Sequence, residues 1–201
     1  MNRHQAAADL AEVRLRLAGV QRFPGFSGVA AATSGAIGLF AGALQGIVAP
    51  HPRTELELHT YLTIWLGALA IALVLNYGAV GVWLIRNHGR HAMQQSRLAA
   101  IAILPSIVFG GSLTVALAAA NVWQLIPGVW YGAYAVGLFA TRSLVPQSIL
   151  TVAGAFGVAS IALLLPFSAV ALSWWVLPLG FGIGQVVIGV CLARERSERW
   201  L

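Results

Sequence analysis

Six long apolar stretches, at about 26–49, 61–85, 98–120, 122–141, 145–166 and 169–193, contain not one Asp, Glu, Lys, Arg or His. Roughly 20 apolar residues suffice for a helix to cross the hydrocarbon core of a bilayer. Inside that core the backbone finds no water, and these stretches lack the alternation of strands, so helices are expected. The fold class that follows is all-α, a polytopic six-helix transmembrane bundle. The connections are short, which makes sequence neighbours antiparallel neighbours in space. Composition agrees: 59% of residues are hydrophobic and 9% charged, where a soluble domain carries about 25% charged residues. An ordinary soluble enzyme is excluded. A single cysteine, Cys191, excludes an internal disulfide and a Cys-based zinc or iron–sulfur centre.

Arginine placement sets the expected orientation. All twelve basic residues are arginines. With six spans, Arg3, Arg14, Arg16, Arg22, Arg86, Arg90, Arg97, Arg142, Arg194, Arg196 and Arg199 fall on one side; only Arg53, beside Glu55 and Glu57, falls on the other. Both termini are therefore expected in the cytoplasm. Tyr61, Trp65, Trp123, Phe167, Trp174 and Trp175 fall near outer span ends, and Phe23, Phe26, Trp83 and Trp200 near inner ones, where interfacial belts form. The net charge of +6 is explained by orientation and by anionic headgroups. No basic stretch is long enough to track a nucleic-acid backbone.

Residues 1–24 form a cytoplasmic segment, 25–193 the transmembrane domain and 194–201 a cytoplasmic tail. In the first segment Leu10, Val13, Leu17 and Val20 recur at helical spacing, and Glu12 and Arg16 make a favourable i,i+4 pair. This predicts a short amphipathic helix on the headgroups, or a docking helix for a cytoplasmic partner. No cleavable signal peptide is expected, because four arginines precede the first apolar stretch.

Glycines spaced by four mark close helix packing: Gly38, Gly42 and Gly46 on the first span, Gly128 and Gly132 on the fourth, Gly180 and Gly184 on the sixth. They serve packing within the chain or, on the first span, a homo-oligomer seam. Pro105, Pro127 and Pro178 each remove a backbone donor and can kink a helix. Gly81, Gly137 and Gly189 each precede an arginine by five residues, a weak hint of triplicated hairpins.

Asn76 and Gln185 are the strongly polar side chains deep within apolar spans. They are read as hydrogen-bonding glue between the second and sixth spans, or as polar determinants of a pocket walled by Tyr77, Trp130, Tyr131 and Tyr134. Gln45 and Gln124 lie nearer the outer surface. His51, Glu55 and His59 would share a stripe if a helix began at Pro52, a weak metal-site candidate whose ligands drift around the helix. No cofactor is expected. The spans carry no carboxylate of the kind ion-driven transporters use, and no acid–base or nucleophile–base motif is present.

Three stretches, LAEVRLRLAGVQRFPGFSGVAAATSGAIG at 10–38, LIPGVWYGAYAVGLFATRSLVPQSILTVAGAFGVASIALLLP at 125–166 and LGFGIGQVVIGVCLARERSER at 179–199, carry a resemblance. They resemble a family of small six-span bacterial inner-membrane proteins often encoded beside winged-helix regulators. The resemblance implies six spans and a bacterial inner membrane, and it supplies no activity. Family members often have histidine where this chain has Gln185, so no haem or metal role carries over to that position. The leading expectation is a non-enzymatic integral membrane protein, a subunit or helper of a larger assembly. Its partners would be the lipid bilayer and either a membrane complex or further copies of itself. The alternative is a small permease or lipid/apolar-ligand binder with its site between spans 2, 4 and 6.

Overall fold

A computed structural model of the chain describes residues 23–87, 89–165 and 170–198. Among them the structure is all-helical: α1 (Gly28–Val48), α2 (Glu55–Arg86), α3 (Arg90–Ala119), α4 (Ile126–Ala140), α5 (Gln147–Leu164) and α6 (Gln185–Glu198). A single 3₁₀ turn, Trp123–Leu125, leads into α4, and a π-helical stretch, Pro178–Gly184, leads into α6. Five of the helices are long and apolar enough to cross a membrane, α6 counted together with its π-helical start, which makes this a multi-pass membrane protein. The fourth helix, at 15 residues, is shorter. All but the last two residues of the amphipathic segment expected over 1–24 lie outside the described residues, as do His88, Phe167, Arg199 and Trp200.

Local chemistry sets the helix ends. The Ser27 hydroxyl accepts from Ala30 N at 3.2 Å and starts α1, which stops just before Pro50. A capping box starts α2: Thr54 Oγ1 accepts from Glu57 N, while Glu57 Oε2 accepts from Arg53 N and Thr54 N at 2.8 and 3.0 Å. This places the start at Glu55 rather than Pro52. Asn121, with φ at 58°, ends α3; Asn121 N donates to Ala118 O and Val122 N to Leu117 O, a Schellman closure with asparagine in the usual glycine position.

The helices pack in the order α2, α1, α6, α5, α4, α3. The seam between α1 and the last helix is a backbone-to-backbone approach. A Cβ added at Gly28 would lie 2.6 Å from Gly189 O, one at Gly35 2.6 Å from Gly182 O, and one at Gly38 2.8 Å from Phe181 O. Gly42 lies directly under Pro178. In lipid there is no hydrophobic transfer between helices, so close approach of this kind supplies the dispersion that holds them. The α4–α5 hairpin closes likewise, Gly128 against Leu164 and Gly132 against Ser160, whose hydroxyl donates to Gly128 O at 2.7 Å. Helix α3 lies along α4, with Gly137 against Ser106 and Gly110 against Ala133.

The last apolar stretch departs from the expected single span over 169–193. Residues 170–175 are turns, and helical structure begins at Val176. Ala171 and Ser173 are buried, and the backbone polar groups of this segment are met by protein: Trp174 N donates to Pro50 O at 3.1 Å, and Leu172 O accepts from Gln45. Irregular backbone next to hydrocarbon is tolerated under that condition. The aromatic belts are also redistributed. Tyr61, Trp65, Trp123 and Phe23 are core residues, while Trp174 and Trp175 remain exposed.

Candidate functional site

The polar side chains of the apolar region are amides, hydroxyls and indoles, none of which titrates near neutrality. Both amides singled out above are engaged. Asn76 Nδ2 donates to Ser34 Oγ on α1 at 2.8 Å and to Ala72 O at 2.9 Å. Gln185 Nε2 donates to the Tyr134 hydroxyl on α4 at 2.6 Å. The two amides thus join α2 to α1 and α6 to α4; they do not bridge the second and sixth spans.

The expected aromatic wall is divided. Tyr131, Tyr134, Phe156 and Phe181 form one cluster, with ring centroids 4.8–5.4 Å apart in tilted and edge-on arrangements. At such spacing the rings pack directly on one another. Trp130 stands apart, stacked on Tyr61 at 6.3 Å with its Nε1 donating to Thr114 Oγ1 at 2.7 Å. Tyr77 is exposed on α2. Tyr131, Tyr134 and Gln185 are brought together; Asn76, Tyr77 and Trp130 make no hydrogen bond or ring contact with them among the described residues.

Two polar arrangements go beyond what the sequence indicated: Gln45, placed there only near the outer surface, and Tyr131, whose partners the sequence did not show. Gln45 has no solvent exposure. Its Oε1 accepts from Trp65 Nε1 at 2.8 Å, and its Nε2 donates to Leu172 O at 3.0 Å. One amide therefore ties α1, α2 and the segment before the last helix. A glutamine in a glycine-rich apolar helix, with a tryptophan on the next, was the available signal.

The second feature is Tyr131. Its hydroxyl donates to Val176 O at 2.6 Å and lies where a Cβ on Gly180 would stand. Val176 O and Gly180 N are the i,i+4 pair that would close an α-helical turn. The hydroxyl stands between them, and Pro178 has no N–H to offer. An inserted polar group of this kind widens a helix, and the chain is π-helical over Pro178–Gly184. Glycine at 180 is required because the Tyr131 ring lies where a Cβ would be. The Tyr61 hydroxyl, fully buried, has no hydrogen-bond partner.

The metal reading is corrected. With α2 starting at Glu55, His51 lies outside the helix, and the stripe with Glu55 and His59 is not formed. His59 Nε2 is 3.8 Å from Glu55 Oε1, both exposed, and the described residues contain no group of three metal-binding side chains. The glycines assigned to packing make the contacts described above; a Cβ added at Gly46 would lie 3.4 Å from Trp174 and one at Gly184 2.8 Å from Phe156. Set against family models, curated proteins and solved structures, the chain matches none.

Proposed function

We propose that this chain is a six-span, non-enzymatic protein of a bacterial inner membrane, with both termini cytoplasmic, that serves as a subunit or helper of a larger membrane assembly. The observation that carries the reading is α2. None of the residues in its most apolar 18-residue window is buried. Val74 is 72% exposed, Tyr77 44% and Ile85 68%, and Gly67, Gly78 and Gly81 face open space. Several interior polar groups meanwhile satisfy one another, Gln45 with Trp65, Asn76 with Ser34 and Gln185 with Tyr134, which favours a packed scaffold over a reaction centre.

The sixth span is α4 with its 3₁₀ turn. It packs along α3, with Trp130 bonded to Thr114 and Gly137 against Ser106, which supports reading it as a span beside α3. Orientation rests on the described arginines: Arg86, Arg90, Arg97, Arg142 and Arg194 stand at one end of the bundle and Arg53 at the other.

The test is photocrosslinking in native membranes from a reactive residue at Val74, with Val158 on α5, 69% exposed, as the comparison. A discrete protein adduct from position 74 and none from 158 is expected. Lipid adducts alone from both positions would overturn the assembly reading. Labelling of cysteines placed at Thr54 and Ser197, in a Cys191→Ala background, reports the topology separately.

A further inference from the structure

The turns at 170–175 have no regular hydrogen-bond ladder, so each of their backbone groups has to find its own partner. Most carbonyls from 170 to 176 do. Val170 O accepts from Ser173 N, Ser173 O from Val176 N and Trp175 O from Leu179 N. Leu172 O accepts from Gln45 on α1, and Val176 O from the Tyr131 hydroxyl on α4. Of those that remain, Trp174 belongs to an exposed residue. Ala171 does not: it is 1% exposed, and its carbonyl accepts no hydrogen bond among the described residues.

Helix α2 presents an unpaired donor to the same region. Its buried residues are Leu58, Tyr61 and Trp65, which share one face at helical spacing. Leu172 packs on the cluster of Leu58, and its carbonyl is held by the same Gln45 amide that accepts from Trp65. Tyr61 stands between those two contacts along α2, and it belongs to one buried cluster with Ala171, Tyr131, Val176 and Leu177. Tyr61 is itself 1% exposed, and its hydroxyl has no hydrogen-bond partner. A buried donor and a buried acceptor left unpaired each forgo the hydrogen bond that water gives them in the unfolded chain. These two are not bonded to each other, and such a pair within one cluster is what a buried water joins. The Tyr131 oxygen, in the same cluster, gives its proton to Val176 O and keeps a lone pair for a third bond.

We propose that one internal water molecule binds between α2, α4 and the turns at 170–175, accepting from the Tyr61 hydroxyl and donating to Ala171 O and to the Tyr131 oxygen. It adds α2 to the elements that hold the irregular segment, beside Gln45 of α1 and Tyr131 of α4, and so fixes the approach to the π-helical stretch. The proposal is independent of the assembly reading.

The test is Y61F in the full chain, read in two ways. Crystals grown from a lipidic mesophase, diffracting far enough to show ordered water, should give a peak within hydrogen-bond distance of both Tyr61 Oη and Ala171 O, and none in Y61F. In a titration from dodecylmaltoside into SDS followed by circular dichroism, Y61F should shift the unfolding equilibrium about fivefold towards the unfolded form, the worth of one ordinary hydrogen bond. Y77F, which removes an exposed hydroxyl from the same helix, should leave that equilibrium unchanged. A direct hydrogen bond from Tyr61 to Ala171 O, with no peak between them, would overturn the proposal. So would a Y61F chain as stable as the unsubstituted one or more so, which is the result for a hydroxyl left unpaired. A peak that persists in Y61F, or an equal shift in Y77F, would overturn the role of Tyr61 in holding the water.

Discussion

Replacing Gly35 by alanine tests the central seam of the bundle. The new Cβ would lie 2.6 Å from Gly182 O and 2.8 Å from Val186 N. Val186 Cγ2, at 2.7 Å, could swing away, but these two atoms are backbone and cannot. To restore ordinary contact the two helices have to separate by about 0.8 Å, a gap that forfeits a quarter to a half of each dispersion well. If about 40 atom pairs along the seam each lose a third of ~0.15 kcal/mol, the cost is about 2 kcal/mol. Alanine also improves helix propensity by up to about 1 kcal/mol, which offsets part of the loss. Gly78→Ala on α2 removes that ambiguity, because nothing lies within 4 Å of its new Cβ. Its propensity gain is the same and its packing cost is nil. The two variants should therefore differ by about 2 kcal/mol, a factor of about 30 in the unfolding equilibrium. Gly46→Ala, whose Cβ would meet Trp174 at 3.4 Å, should fall close to Gly78→Ala. Helix loss followed by circular dichroism during titration from dodecylmaltoside into SDS measures all three. Equal midpoints for Gly35→Ala and Gly78→Ala would refute the claim that backbone contact holds α1 to the last helix.

Further substitutions probe the buried polar groups. Gln45→Leu orphans Trp65 Nε1 and Leu172 O and should cost about 1–3 kcal/mol in the same titration, while adding Trp65→Phe should return part of that loss. Asn76→Leu removes the bond to Ser34, and a cycle with Ser34→Ala should give a coupling of about 0.6–1.7 kcal/mol, the range for hydrogen bonds between membrane helices. A coupling near zero would mean that the bond contributes nothing. Tyr131→Phe leaves Val176 O free to accept from Gly180 N, so the π-helical stretch should tighten towards α-helix. A structure of that variant with Pro178–Gly184 still π-helical would show that the hydroxyl is not the cause.

Hydropathy made most of the helices legible because crossing lipid demands apolar length and little else. It placed α1 and α5 within two residues at each end. It missed the first turns of α2 and α3, since Glu55, His59, Arg90 and Arg97 are polar residues on helices that project beyond the apolar zone. It also read 169–193 as one span, because partitioning reports where a segment sits and not whether its backbone is helical. The turns at 170–175 depend on Gln45 and Pro50, more than a hundred residues away in sequence. Side-chain partners were the least legible. The residues Gly81, Gly137 and Gly189 look equivalent in sequence, yet one faces open space, one touches Ser106 and one meets the backbone of Gly28. Tyr131 and Tyr134 share a helix face, as their spacing indicates, but only the positions of Phe156 and Phe181 decide that this face is filled.

The π-helical stretch gives the last helix slack in chain length. Each π-type bond spans one residue more than an α-type bond. On one side of the stretch Pro178 is seated on Gly42; on the other Gly189 is seated on Gly28. A one-residue deletion between these anchors could be absorbed by closing the turn as α-helix, leaving both anchors engaged. The same deletion within α5 would rotate everything beyond it by about 100° and turn its buried face to lipid. Insertions and deletions in the final third of this chain should therefore be tolerated within Pro178–Gly184 and rejected on either side of it.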